Sequence, residues 1–410
     1  MKINKYTLDN GLRLVHCEDT STQMVALNIV YDVGSRDENP DHTGFAHLFE
    51  HLMFGGSINI PDFDTPIQLA GGENNAWTNT DITNYYQTVP IQNVETAFWL
   101  ESDRMLSLDF SARSLDVQRG VVMEEFKQRS LNMPYGDVKH LLLPLAFNVH
   151  PYRWPTIGKD LSHILNATLD DVKDFFFRFY APNNAVLVVT GNIPFDYAVQ
   201  LAEKWFGPIA RRNVPTRHLN REPVQEKERR LTVERNVPLD ALYMAFHMCE
   251  RKNPDFYAFD ILSDILSNGR SSRLNQHLVE EKHVFSEIDA YISGSIDPGL
   301  FYITGKPMSG ISLEQAEDAV REELVRLQYE LVDEQELEKV KNVFESTQIF
   351  ENISYLNVAT KLAWFELNGR AEDMEKEVEY YRAVTPEMIR RAARTTFVDN
   401  NCVVLYYKKE

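Results

Sequence analysis

The sequence is poor in cysteine, with only Cys17, Cys249 and Cys402, and no two of them lie close together. An odd number of cysteines without a CxxC spacing excludes a disulfide framework and a cysteine metal site, and it favours a reducing compartment. The sequence also lacks a run of roughly 18 apolar residues, so we expect no membrane span. The N-terminus has no apolar signal core and no arginine-rich transit character. We therefore expect a cytoplasmic protein, although a mature form whose leader had been removed would look the same.

Positive charge is scarce as well: 42 Lys and Arg residues stand against 61 Asp and Glu residues, which gives a formal net charge of −19. No basic stripe is available to neutralise phosphates, so neither nucleic acid nor an anionic membrane is an expected partner. The hydrophobic content of 43% and the length of 410 residues are those of an ordinary soluble protein. At roughly 100–200 residues per domain, this length predicts at least two domains.

What the sequence does contain is an internal repeat. A helix-turn-strand pattern begins at Thr168 and continues into the apolar strand after Asn183 and Asn184, and it recurs from Thr385 to the strand after Asn400. Each Thr is a candidate helix N-cap and precedes the first Asn by the same fifteen residues (183 − 168 and 400 − 385). The same order of elements, repeated at this distance, indicates duplication of one structural unit.

The front parts of the two halves also match. The strand-like segment 26–31 resembles segment 241–246, and each precedes a charged loop and an amphipathic helix, predicted at 45–54 and 259–266. We therefore predict an α+β fold of two homologous halves, each a mainly antiparallel sheet covered by helices, together forming half of a clamshell. The predicted divisions are a first domain at 1–212, a polar linker at 213–230 and a second domain at 231–410.

His47, Glu50 and His51, within the first of these helices, form a candidate metal-binding and catalytic motif. Residues four apart lie on one helical face, so His47 and His51 can bind one metal ion, with Glu50 beside them as a general base. By itself the pattern fits a solvated helix face equally well. The neighbouring residues are strongly apolar, however, and burying two His and a Glu among them without a partner would be costly. A zinc ion would supply that partner.

A third ligand must come from another segment. Residues 117–126 have a helical pattern in which Gln118, Val121, Val122 and Glu125 share one face, whereas Glu124 points about 100° away and is expected to be solvated. Glu125 is therefore the candidate on the inward face.

Together these motifs resemble the pitrilysin family of zinc peptidases, and the resemblance extends over nearly the whole chain. The family includes the β subunit of the mitochondrial processing peptidase. The segments that carry the resemblance are His47–Ser57, Gly71–Thr78, Asp81–Tyr86, Val121–Glu125, His150–Tyr152 and Tyr180–Asn184. The resemblance implies one Zn²⁺ per chain, bound by His47, His51 and Glu125, with Glu50 as the catalytic base. It also implies that Asn75 and Ala76 lie on an edge strand that pairs with the substrate backbone. Turn propensity alone would instead place Asn75 in a turn after Gly71-Gly72.

The sequence departs from the family pattern at two places. Gln118 replaces a Glu that usually supports the site from behind the ligands, and an amide supports a metal ligand without charge. Val279 and Ser286 stand where single-chain members carry an Arg and a Tyr that stabilise the oxyanion. The second half also lacks the zinc motif, because Asp260, Ser263 and Asp264 occupy the corresponding positions. His150 and His247 have no metal-spaced neighbours, and we interpret them as structural.

These observations predict a zinc-dependent endopeptidase that cleaves unfolded or short peptides in an enclosed chamber. The missing Arg and Tyr predict that it works as the zinc-bearing subunit of a heterodimer with a homologous zinc-free subunit, or forms a homodimer when that partner is absent. The alternatives are a non-catalytic structural subunit and a peptide-binding subunit without turnover.

Overall fold

A computed structural model describes residues 1–410 and contains two β-sheets, both associated with helices. The strands are β1 Ile3–Thr7, β2 Arg13–Glu18, β3 Met24–Tyr31, β4 Glu73–Thr78, β5 Thr83–Pro90, β6 Ala185–Gly191, β7 Arg229–Arg235, β8 Ala241–His247, β9 Phe285–Ile292, β10 Leu300–Pro307 and β11 Cys402–Lys409. The helices are α1 Phe45–Leu52, α2 Asp64–Leu69, α3 Val94–Leu106, α4 Ala112–Phe126, α5 Val138–Ala146, α6 Leu161–Leu165, α7 Leu169–Phe179, α8 Phe195–Trp205, α9 Phe256–Ser267, α10 Leu313–Tyr329, α11 Glu334–Glu351, α12 Tyr355–Asn368, α13 Glu377–Arg382 and α14 Pro386–Thr396. No helix is long and apolar enough to cross a lipid bilayer.

The first sheet has six strands in the order β1-β2-β6-β3-β5-β4. All neighbouring pairs are antiparallel except β2 and β6. Strand β6 is buried along its whole length, as expected for an apolar strand in the middle of a sheet. Strand β4 is at one edge and pairs only with β5.

The second sheet has five strands in the order β7-β11-β8-β10-β9, and β7 with β11 is its one parallel pair. Strands β8, β9, β10 and β11 form its antiparallel part. Two mainly antiparallel sheets with helices confirm the predicted α+β class.

The sequence repeat corresponds to a repeat of local structure. Thr168 caps α7 by accepting from the Asp171 amide, and Thr385 caps α14 by accepting from the Met388 amide. After each helix an Asn side chain bridges two backbone carbonyls. The amide Nδ2 of Asn184 donates to Phe179 and Asp32, and that of Asn401 donates to Thr396 and His247. The same cap and the same Asn bridge, 217 residues apart, support a duplicated origin.

The chain forms two compact units that are not continuous in sequence. The first contains residues 1–128, 154–219 and 348–376, and the second contains 129–153, 220–347 and 377–410. Helix α12 packs on β3 and β6 of the first sheet, whereas α5 packs on β11 and β7 of the second. These units differ from the predicted division at 213–230, because each sheet takes one covering helix from the other half of the sequence.

Two helix boundaries differ from those predicted. Helix α1 ends at Leu52 instead of Phe54, because the Phe54 and Gly55 amides bond to His51 and Leu52 three residues back, which tightens the chain after the last α-helical turn. Helix α9 spans Phe256–Ser267 and is longer than the predicted 259–266.

Candidate metal centre

The site is built on α1, which is anchored in the first core by its apolar face. Phe45, Leu48, Phe49 and Leu52 are at most 5% exposed. Phe49 stacks on Phe175 and Tyr180 at ring-centroid distances of 5.0 and 5.2 Å. Because this face fixes the rotation of the helix, the motif residues lie on a defined side of it.

The N-terminus of α1 is held by the carboxyl group of Glu38, six residues before the N-cap position. Gly44 is the N-cap residue at a φ of 88° and provides no side chain for capping. Glu38 replaces that cap, since its Oε2 accepts from the Gly44 amide at 3.0 Å and its Oε1 from the Ala46 amide at 2.9 Å. The indole of Trp154 also donates to Glu38 at 3.0 Å. Burial raises the pKa of Glu38 to about 8, against the opposing effect of these donors.

Helix α4 approaches the end of α1 closely because Gly55 has no side chain. A Cβ atom on Gly55 would lie 2.8 Å from Ser114 Oγ and 3.4 Å from Gln118 Nε2. Ser114 also donates to the Gly55 carbonyl at 3.3 Å. This close approach fixes α4 beside α1, and Glu125 is carried by the last turn of α4.

The structure brings His47, His51 and Glu125 together. The Oε2 atom of Glu125 lies 3.5 Å from His47 Nε2 and 3.3 Å from His51 Nε2, and the potential ligand atoms of all three are within 4.8 Å of one another. The two imidazole rings are nearly perpendicular, with centroids 4.9 Å apart. With zinc–ligand bonds of about 2.0–2.1 Å, the edge of a tetrahedron is about 3.3–3.4 Å. The donor set and its spacing therefore fit a zinc ion.

The two neighbouring acids are placed differently from the three potential ligands. Glu50 lies on the last turn of α1, half-buried, one residue before His51, and it is not part of the three-residue cluster. Glu124 is exposed and pairs with Lys127 at 3.5 Å. The prediction that Glu125 lies inward and Glu124 in solvent is confirmed, whereas Val121, predicted on the inward face, is 46% exposed.

Gln118 is half-buried and lies against Gly55, one turn past the end of α1. That position is next to the histidine-bearing helix, and its supporting role toward the metal stays a prediction.

Asn75 and Ala76 lie on β4, not in a turn. Asn75 pairs with Tyr86 and Ala76 with Tyr85 on β5, so the interpretation of Asn75 as a turn residue is wrong. Because β4 is an edge strand, its other side is open to pairing with a further strand.

The second unit has no equivalent cluster at the matching positions. Asp260 and Asp264 lie on α9, and Tyr381 donates its hydroxyl hydrogen bond to Asp260. Burial, with a smaller contribution from Asp260, raises the pKa of Asp264 to about 6. Val279 packs against the core, and the Ser286 hydroxyl donates to the Lys306 carbonyl at 3.0 Å.

His150 and His247 have structural contacts, as predicted. His150 is 4% exposed and accepts from the Tyr152 amide at 3.2 Å, and His247 Nε2 lies 3.1 Å from the Ala146 carbonyl oxygen. Neither belongs to a metal-binding cluster.

Sequence reasoning missed Glu38, although one signal was present. Gly44 leaves α1 without a capping side chain, and the buried amides at its start require some other acceptor. It also missed the polar stretch Glu101–Arg104 within α3, whose four residues are all buried.

Two family models match consecutive parts of the chain. Residues 13–159 match the family model "Insulinase (Peptidase family M16)", and residues 166–344 match "Peptidase M16 inactive domain". The chain is similar to the zinc protease PqqE of Helicobacter pylori, with 27% identity over 99% of this chain and 93% of that one. It is also similar to the crystal structure of a protease from the same organism, with a TM-score of 0.94, 28% identity and 99% coverage of both chains.

A solved structure with lower sequence identity comes from a chain about twice as long as this one. The periplasmic protease PqqL of Escherichia coli matches with a TM-score of 0.80 and 18% identity, and this chain covers 47% of it. This likeness shows the fold alone. The two family models together span most of the sequence, and the chain belongs to peptidase family M16.

Proposed function

We propose that this chain is a zinc-dependent endopeptidase that cleaves unfolded or short peptides and works as the zinc-bearing subunit of a heterodimer. The observation that carries the proposal is the 3.3 and 3.5 Å spacing of Glu125 from two imidazole nitrogens, with Glu50 on the same helical turn as His51. The relatives named zinc proteases support the same reading.

The chemistry follows from the donor set. Two imidazoles and one carboxylate would hold Zn²⁺ with a fourth position open, and the bound ion would polarise the substrate carbonyl and acidify a water molecule. Glu50 is the group that takes the proton from the attacking water and returns it to the leaving amide nitrogen. His47, His51 and Glu125 keep their positions because α1 and α4 are fixed against each other at Gly55.

The substrate would bind as an additional strand. An extended peptide would pair with the side of β4 that has no neighbouring strand, at Asn75 and Ala76, although the Ala76 amide already donates to Asn75 Oδ1 at 2.8 Å. Pairing of this kind favours an unfolded segment, because in a helix or in the interior of a sheet the backbone donors and acceptors are already paired.

A partner subunit would supply oxyanion stabilisation. The Val279 side chain has no polar atom, and the Ser286 hydroxyl donates its hydrogen bond to the Lys306 carbonyl. Neither side chain is therefore suited to stabilise a developing negative charge. Loss of such a donor typically costs about 10²–10³-fold in rate. The longer PqqL chain, of which this one covers 47%, has room for two such subunits in one polypeptide.

The test is cleavage of an unstructured peptide by the purified chain, with and without a homologous zinc-free subunit. We expect cleavage to be lost when a chelator removes the metal and to return when Zn²⁺ is added. We expect the partner to raise kcat by about 10²-fold or more. Full activity in the continued presence of the chelator would contradict the proposal.

The alternative of a peptide-binding subunit without turnover makes a different prediction in the same assay. Peptide would bind with an affinity independent of Zn²⁺, and no product would form with any partner.

A further inference from the structure

The polar stretch in α3 lies directly behind the end of the candidate catalytic helix. Glu101, Ser102, Asp103 and Arg104 are four consecutive polar residues, and Glu101 and Arg104 are completely buried. The cost of burying an ion pair can exceed what the pair returns, and apolar residues of similar size are often as stable in its place. Stability alone therefore does not account for this arrangement.

Arg104, on α3, contacts Phe54 in the segment that follows α1. Its Nε donates to Glu101 Oε2 at 2.8 Å, and the side-chain Nε2 of Gln87 also donates to Glu101, at 2.9 Å. The Arg104 guanidinium lies over three aromatic rings, with centroid distances of 4.3 Å to Phe63, 4.4 Å to Tyr85 and 5.3 Å to Phe54. Phe54 is the second residue after the end of α1. A buried cation over aromatic faces is a strong and directional contact.

Tyr85 carries this contact into α1 itself. Its ring is fully buried beneath the guanidinium, and its hydroxyl donates to the Phe49 carbonyl at 3.4 Å. Phe49 immediately precedes Glu50. Tyr85 thus connects Arg104 to the turn that carries Glu50 and His51.

Asp103 fixes the chain that follows. Its Oδ2 accepts from Ser57 Oγ at 2.5 Å and from the Asn59 amide at 3.1 Å, and its Oδ1 accepts from Asn59 Nδ2 at 2.6 Å. Phe54 thus contacts Arg104, and segment 57–59 is attached to the adjacent residue Asp103.

We propose that Asp103 and Arg104 are positioning residues for the last turn of α1, and that they set the metal-site geometry at His51 and the orientation of Glu50. The reading of Glu50 as a base rests on the proposed function, whereas the effect on metal geometry does not. A displacement of about 1 Å in a catalytic group can cost about 10²-fold in rate. Weakening this attachment should therefore lower turnover more than it lowers substrate binding.

The main test is the double variant Glu101→Gln, Arg104→Met, which removes both buried charges together. Its matched control is Arg251→Met, Glu377→Gln in the second unit, where Arg251 also bonds to an acid and lies over an aromatic ring, Phe256, at 4.2 Å. Each protein is loaded with Co²⁺, whose visible absorption reports ligand geometry, and is assayed for kcat and KM as the Zn²⁺ form with its partner subunit.

We expect the double variant to change the Co²⁺ spectrum and to lower kcat about 10²-fold, with KM changed less than about threefold. Arg104→Lys, which keeps the charge, should restore part of kcat. The control should retain the wild-type spectrum and kcat. A folded double variant with the wild-type spectrum and kcat would overturn the proposal.

A second variant covers the case in which the double variant does not fold. Asp103→Asn keeps one acceptor oxygen, and we expect a smaller loss of kcat, about tenfold, with a shifted Co²⁺ spectrum. An unchanged spectrum and kcat in Asp103→Asn would overturn the proposal equally. If the wild-type chain binds Co²⁺ but cleaves no peptide, the proposed function fails, and the spectra alone decide whether these residues position His51.

Discussion

Replacing Glu125 by Ala removes one of three groups that converge on a single point. Its Oε2 lies 3.3 Å from His51 Nε2 and 3.5 Å from His47 Nε2, close to the edges of a zinc tetrahedron. Glu124 offers a matched control, because it is the same residue type on the same helix, exposed and paired with Lys127. The two variants change the same charge by the same amount, and only one removes a potential ligand.

The magnitude follows from the number of ligands. Structural zinc sites with four protein ligands bind with about 10–16 kcal/mol, or roughly 2.5–4 kcal/mol per ligand. Each 1.4 kcal/mol is a factor of ten in affinity. We therefore expect Glu125→Ala to raise the zinc Kd by at least about 10²-fold, and Glu124→Ala to change it by less than about threefold, since surface ion pairs contribute about 0–1 kcal/mol.

The assay is competitive titration of Zn²⁺ against a chromophoric chelator, with metal content measured after dialysis. Circular dichroism confirms that both variants are folded. If Glu125→Ala binds zinc as tightly as the wild type, Glu125 is not a ligand. If Glu124→Ala is the variant that loses zinc, the assignment of the third ligand moves to Glu124.

Three further predictions test other parts of the site. Gln118→Ala should raise the zinc Kd about tenfold, less than Glu125→Ala does, in the same titration. Burial raises the pKa of Glu38 to about 8 from an ordinary value of 4.5, so the folded chain keeps a proton there that the unfolded chain releases. The free energy of unfolding should therefore fall as the pH rises from about 4.5 to about 8, and Glu38→Gln should remove that slope in denaturant titrations across this range. The paired changes Val279→Arg and Ser286→Tyr should raise kcat of the isolated chain toward that of the heterodimer, and an isolated chain that is already fully active and unaffected by them would contradict the need for a partner.

The sequence predicted best those elements whose signals lie within a few neighbouring residues. The two Thr caps and the strands after them follow from repeated N-cap and apolar signals, and the structure contains both. His47 and His51 could be paired because a helical spacing of four places them on one face. Periodicity placed Glu125 on the inward face of its helix, but it does not contain the packing of α4 against Gly55 that brings this face to the two histidines.

Contacts between segments far apart in the sequence could not be predicted from local patterns. Helices α5 and α12 have ordinary apolar patterns, and nothing in those patterns says which sheet they cover, so the compact units differ from the predicted domains. Glu38 and Arg104 carry charges that sequence reasoning places at the surface, whereas in the structure both are buried by contacts with segments far along the chain.

Cleavage by wild type and by Glu50→Gln at equal zinc content tests whether Glu50 is the general base of a zinc peptidase. Glu50 is not among the three converging ligands, so the variant should keep its zinc and its fold. With the partner subunit present, we expect the rate of cleavage of an unstructured peptide, followed by mass spectrometry, to fall by about 10²–10⁴-fold in the variant. Equal rates for the two zinc-loaded proteins would contradict this role of Glu50.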